Sequence, residues 1–182
     1  MTGKTFNWAG HKSFALVLVA LSVALAAIAS AWFIELVLAV RPCPLCLEQR
    51  LSYYAGIPLA CLLLVLLRDA RRHLLIKPLL AVLCLCFLFG AGLGVYHAGV
   101  EWALWPGPGE CSGQLAPMAG AADLLSQLDR VKVVRCDQVS FRLLGQSLAV
   151  WNVMVAGFVA VVTGLAFLIE LKRDHGSNSL SQ

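Results

Sequence analysis

Apolar and polar residues follow one another along this chain in long blocks, without the short periods of surface helices or strands. Phe14 to Ile34 carries no charge, and the apolar character continues through Glu35 to Val40. A second run extends from about Leu45 to Leu67, a third from Pro78 to Tyr96 and a fourth from about Leu148 to Ile169. A helix needs about 20 apolar residues to cross a bilayer, and each run is long enough. The pattern predicts an all-α, integral membrane four-helix bundle. It forms one domain over 1–182, with spans near 14–36, 45–67, 78–96 and 148–170 and a long outer loop over 97–147. Pro58, inside the second run, is expected to bend its helix, because proline lacks a donor and crowds the preceding turn.

The polar blocks carry the orientation. Lys4 and Lys12 precede the first run, Arg68, Arg71, Arg72 and Lys77 crowd the second connection, and Lys172 and Arg173 follow the fourth run. The other two connections are balanced. Glu35 and Glu48 stand against Arg41 and Arg50, and the long loop mixes five acids, such as Glu110 and Asp129, with four bases. By the positive-inside rule both termini and the 68–77 connection are cytoplasmic, and the other two loops face outward. The first run also has the look of a signal peptide, with small residues at 27–31, but it is longer than a typical signal core. It is therefore read as a retained span.

In the long loop, Trp102, Trp105, Pro106 and Pro108 follow the third span closely, as aromatic residues do at a lipid interface. Ala121 to Leu128 reads as a short surface helix, with Leu124, Leu125 and Leu128 on one face. The tail after Asp174 is polar and expected to be disordered.

Composition agrees with this class. The chain is 60% hydrophobic and 13% charged, with a mean hydropathy of +0.81. A soluble domain of this length has no use for so much apolar surface. The net charge of +4 is an orientation signal, and no nucleic-acid partner is expected.

The candidate chemistry lies in the cysteines. Cys43-Pro44-Leu45-Cys46 has the spacing of a redox dithiol and opens the second span. The positive end of a helix lowers a thiol pKa there and makes a better thiolate. Arg50 follows Cys46 by one helical turn, and a charge near lipid implies a role, such as steadying a thiolate or an anionic reduced ligand. Cys111 and Cys136 sit in the long loop, where an outward-facing compartment favours pairing, as a staple or as an exchanging disulfide. His97, at the end of the third span, is positioned to exchange a proton. Cys61, Cys84 and Cys86 lie within apolar runs and read as packing residues. No second CxxC accompanies the first, so a bound metal is not expected. The chain also has no GxGxxG for a flavin and no CxxCH for a haem.

Taken together, these residues resemble the disulfide bond formation protein B (DsbB) family. The likeness covers nearly the whole chain: four spans, a CxxC opening the second with an arginine one turn on, a cysteine pair in the long loop, and a histidine ending the third span. Leu144-Gly145-Gln146-Ser147 and Trp151-Asn152 add to it.

The resemblance implies a multi-pass bacterial inner-membrane enzyme with cysteine pairs Cys43–Cys46 and Cys111–Cys136 in the periplasm. A thioredoxin-like dithiol oxidase of the DsbA type would form a mixed disulfide with Cys111. Released Cys136 would attack Cys43. Cys46, freed beside Arg50, would pass electrons to ubiquinone or menaquinone, with His97 near the cofactor. DsbA is a strong oxidant, near about −120 mV, so a glutathione-like pool near about −200 mV could not reoxidise it. A membrane quinone could. Three other readings are a vitamin K epoxide reductase-like enzyme, a conduit carrying electrons outward, and a non-enzymatic membrane protein whose cysteines bind metal or brace loops. In the first of these the active CxxC would follow the loop pair in sequence, and here it precedes it.

Overall fold

The computed structural model describes residues 8–68, 73–108, 135–137 and 141–179. Cys111 and the segment read as a surface helix at 121–128 lie outside the described residues. Four long helices make up most of what is described: α1 (Trp8–Leu36), α2 (Pro44–Leu66), α3 (His73–Glu101) and α4 (Leu148–Ser179). All four are long and apolar enough to cross a membrane, so the chain is a multi-pass helical membrane protein. Between α3 and α4 lies a small hairpin of β1 (Arg142–Leu143) and β2 (Gln146–Ser147).

Three of the helix ends have a clear local cause. α2 starts where Cys43 takes an extended conformation (φ −78°, ψ 166°), Pro44 fills the first turn, and Cys43 Sγ accepts the Cys46 backbone N–H at 3.3 Å. Proline suits that position because its missing donor would be unpaired there anyway. The helix then continues through Pro58. The four-residue stretch at 143–146 turns on Leu144 (φ 53°) and Gly145 (φ 83°), the paired positive angles that match the twist of a tight hairpin. It delivers Ser147, whose Oγ accepts from the Val150 N–H at 3.4 Å and caps α4.

α3 is longer than its apolar run. It begins at His73, with Pro78 in its second turn, and runs past Tyr96 to Glu101. The outer loop therefore starts later than position 97. Polarity suggested a stop at His97, but His97 and Val100 are buried, and the backbone keeps its helical bonds. The end is closed by Ala103 (φ 56°) and by Trp105, which folds back over Gly99 and donates from Nε1 to the Tyr96 carbonyl at 2.9 Å. Its ring stacks on Tyr96 with centroids 6.2 Å apart. A Cβ on Gly99 would lie 2.0 Å from the Trp105 ring, so only glycine admits this fold-back.

In the bundle α1 packs on α2 and α4, and α3 packs on α2 and α4. The core uses small residues that let backbones approach, with Ala20 and Ala24 on α1 and Ala156 and Ala160 on α4. Phe87 fills the centre, edge-on to Tyr53 at 5.5 Å and against Gly56. Large apolar side chains such as Leu85, Phe89 and Val161 stay on the outside, as lipid requires. Tyr53 Oη donates to Asn152 Oδ1 (2.8 Å), and Asn152 Nδ2 donates to the Gly90 carbonyl (3.2 Å). This polar chain ties α2, α3 and α4 together next to the cysteine end of the bundle.

Candidate functional site

The end of the bundle where α2 begins holds a cavity of about 270 Å³. One side is apolar, built from Ala27, Ile28, Ala31 and Ile34 of α1 and Val155 of α4. The other side is polar. Cys43, Cys46, Gln49 and Arg50 come from the start of α2, and His97 and Glu101 from the end of α3.

The cysteine pair is a dithiol here, with Sγ atoms 2.9 Å apart. The two thiols share a hydrogen bond, and the Cys46 backbone N–H points at Cys43 Sγ. His97 Nε2 stands 3.6 Å from it. Despite its burial, Cys43 is pulled down to a pKa of about 5, chiefly by the Cys46 thiol and then by His97. Negative charge on the pair is therefore favoured at Cys43, the cap of the helix. The scheme drawn from resemblance placed a freed thiolate at Cys46. In this dithiol state the helix terminus and two donors converge on the other sulfur.

His97 is a buried core residue, 3% exposed, and lies deeper than an interfacial histidine. Its Nδ1 is 2.9 Å from Gln49 Nε2. That contact orients the ring so that Nε2 faces Cys43 and Glu101. Glu101 Oε1 is 3.7 Å from Nε2, and its side chain is only 6% exposed, with Oε2 making no hydrogen bond among the described residues.

Arg50 is also buried, and its partner is Glu35 of α1. It donates a second bond to the Ala31 carbonyl at 3.4 Å, and its guanidinium lies 5.4 Å from the Trp32 ring centroid. The charge is thus steadied by the end of α1 and still lines the cavity with Cys46.

Cys136 is almost fully buried, is disulfide-bonded, and packs in one cluster with Cys43, Leu45 and Val100. His97 also meets its backbone. One loop cysteine is therefore brought beside the dithiol across some ninety positions of sequence. Cys84 and Cys86 donate to backbone carbonyls of neighbouring helices, and Cys61 is exposed on the apolar surface.

Sequence reasoning found Cys43, Cys46, Arg50 and His97 but missed Gln49, Glu101 and Glu35. Glu101 stands one helical turn after His97, a spacing that puts both on one face once the helix is known to continue. Glu35 is an acid at the end of an apolar run, which is itself a signal.

A family model described as "Disulfide bond formation protein DsbB" matches residues 12–166. One relative, "Uncharacterized protein RP370" from Rickettsia prowazekii (strain Madrid E), is 24% identical over 150 residues, covering 81% of this chain and 84% of the relative. No solved structure matches. With a matched span that takes in all four helices and both cysteine regions, the chain belongs to the DsbB family of disulfide bond formation proteins.

Proposed function

We propose that this protein reoxidises a periplasmic thioredoxin-like dithiol oxidase of the DsbA type and passes the electrons to a membrane quinone, ubiquinone or menaquinone. The observation that carries the reading is the burial of disulfide-bonded Cys136 in one cluster with Cys43 of the cavity dithiol.

The route proposed for the electrons runs inward, from an outer pair Cys111–Cys136 to the pair Cys43–Cys46. The partner's thiolate attacks the Cys111–Cys136 disulfide at Cys111, and Cys136 leaves as thiolate. Cys136 attacks Cys43 of an oxidised Cys43–Cys46 pair, and Cys46 leaves. Cys111, released by the partner, then attacks Cys136, and Cys43 leaves. The last step is favoured by the low pKa of Cys43, because a more acidic thiol is a better leaving group. The outcome is a disulfide at Cys136 and a dithiol at Cys43 and Cys46, the distribution of the described state.

The cavity fits a quinone ring in chemistry. Its apolar wall suits a ring and the start of a prenyl tail, and Arg50 and Asn152 offer donors to ring oxygens. Bound there, the quinone supplies a two-electron, two-proton acceptor. The chain's own residues do the rest. The α1 wall keeps bulk water from the dithiol, Arg50 holds positive charge at the cavity rim, and His97 holds Nε2 against Cys43. The site lies in the bacterial inner membrane with its cysteines on the periplasmic side, a placement that the basic residues of the 68–77 connection and the fourth helix's end support.

Anaerobic mixing of the purified protein with a reduced DsbA-type oxidase and a soluble quinone analogue tests the reading. Quinone absorbance should fall in step with partner oxidation. An unchanged spectrum, with the partner still reduced, ends it.

A further inference from the structure

The polar end of the cavity gathers more ligand chemistry than thiol exchange requires. Cys43 Sγ, Cys46 Sγ and a His97 ring nitrogen all lie within 4.8 Å of one another. Glu101 adds a carboxylate on a side chain only 6% exposed, with Oε1 3.7 Å from His97 Nε2 and Oε2 making no hydrogen bond among the described residues. A buried carboxylate oxygen left open is uncommon and calls for a cation or a donor.

Two of the separations suit a tetrahedral site. With metal–sulfur bonds of about 2.3 Å and metal–nitrogen or –oxygen bonds of about 2.0–2.1 Å, neighbouring ligand atoms stand roughly 3.3–3.8 Å apart. The Cys43 Sγ to Nε2 separation is 3.6 Å and the Nε2 to Glu101 separation 3.7 Å. The two sulfurs, at 2.9 Å, have to open by less than about one ångström on that geometry, and the Glu101 side chain has to turn toward them, because its carboxylate lies outside the 4.8 Å grouping of the other three. A second shell is in place as well. Gln49 bonds to Nδ1, which fixes the ring so that Nε2 faces the sulfurs.

We propose that, in the dithiol state, Cys43, Cys46 and His97 form a site for a soft divalent cation of the zinc class, that Glu101 turns in to complete it as fourth ligand, and that its occupancy halts electron transfer. The proton balance is simple. Cys43 enters as thiolate and Cys46 releases its proton. His97 binds as the neutral ring with its hydrogen on Nδ1, and the Gln49 side chain turns its carbonyl to accept it. No electrons move. Oxidation to the disulfide removes both thiolates, so the disulfide form lacks the site. Cation and oxidant therefore compete for the same two sulfurs. The binding part stands on geometry alone. The braking part rests on the redox reading given above.

The test uses the full chain in detergent, with Cys61, Cys84, Cys86, Cys111 and Cys136 changed to Ser so that one dithiol remains. Reduced protein is titrated with Co²⁺ while sulfur-to-cobalt and d–d absorption are followed, and Zn²⁺ is then added. One Co²⁺ per chain, displaced by Zn²⁺ and absent from the oxidised protein, is expected. Glu101→Gln should weaken binding by about tenfold or more, as loss of a metal ligand does. Equal binding by oxidised protein, or unchanged affinity in Glu101→Gln, overturns the site.

Wild-type turnover with partner and quinone should fall on Zn²⁺ addition and return with a chelator. Full turnover at saturating Zn²⁺ overturns the brake. Chelated protein that never reduces quinone, yet still binds Co²⁺ as described, would instead sink the redox reading and leave the site standing.

Discussion

The two ends of the bundle each bury a carboxylate, and they treat it in opposite ways. Glu170, at the end where α1 starts and α4 finishes, is 3% exposed and fully engaged. It accepts from Ser13 Oγ at 2.6 Å and pairs with Arg173 at 3.0 Å. Glu101, at the cysteine end, has a side chain only 6% exposed, but it has only a 3.7 Å approach to His97 and one oxygen with no hydrogen bond among the described residues. The first arrangement is a clasp that joins α1 to α4. The second leaves polar capacity unspent beside two sulfurs. A helical membrane protein with no water in its interior satisfies its polar groups wherever it can, so an open one beside reactive thiols points to chemistry over stability.

The largest effect that tests this contrast comes from the thiols. Cys43→Ser or Cys46→Ser should each lower partner reoxidation by at least about a thousandfold, since removing a nucleophile abolishes the step it performs. Cys61→Ser, Cys84→Ser and Cys86→Ser should leave the rate within about twofold on the same comparison. A Cys46→Ser protein that still turns over would erase the distinction between the two ends.

Next come the carboxylates. Glu170→Ala leaves Arg173 and Ser13 without their partner and should lower stability by about 2–3 kcal/mol, with the quinone reaction per folded molecule unchanged. Glu101→Gln should leave stability within about 0.5 kcal/mol, because an amide there strands no partnered group. Detergent-mediated unfolding of the two variants checks both. If Glu101→Gln were the more destabilised, Glu101 would be a structural residue after all.

Arg50→Gln should weaken coupling to quinone by about tenfold, the loss of roughly one charge-assisted bond, while mixed-disulfide formation with the partner stays near normal. Single-turnover assays of the two steps separate them. Equal effects, or none, would make Arg50 only the anchor of Glu35.

The smallest effect is a slope against pH. The Cys43 thiol titrates near about 5 in the folded dithiol, well below its ordinary value. A depressed acid contributes stability that is complete above its unfolded pKa, shrinks as pH falls, and is gone below its folded pKa. The reduced protein should therefore lose part of its stability between about pH 9 and pH 5, and Cys43→Ser should flatten that part of the profile. Thiolate absorbance of the reduced protein should fall with a midpoint near 5. A midpoint near 8–9 would mean that the cap and His97 do not act on this sulfur.

Much of this could be read along the chain because lipid imposes a simple code. Long apolar runs name the spans, and the CxxC, its following arginine and the histidine name the site. The code failed where polarity and burial part company. His97 and Glu101 look like the start of a loop, yet His97 is buried, and α3 runs through both to bring the imidazole to Cys43. The Arg50 partner was missed for a related reason. Glu48 is two positions away on a helix and points elsewhere, whereas Glu35 comes from another helix.

The sequence by itself determined the class, the four spans, the redox spacing at Cys43 and Cys46, and the family likeness. These are properties of local composition and short intervals. Only tertiary structure decided which sulfur holds the charge, since that depends on a helix terminus, a neighbouring thiol and an imidazole converging on Cys43. It also decided that Cys136 lies beside that sulfur and that Glu101 keeps an open oxygen there. Those facts arise from packing between segments far apart in the chain, which no interval along it encodes.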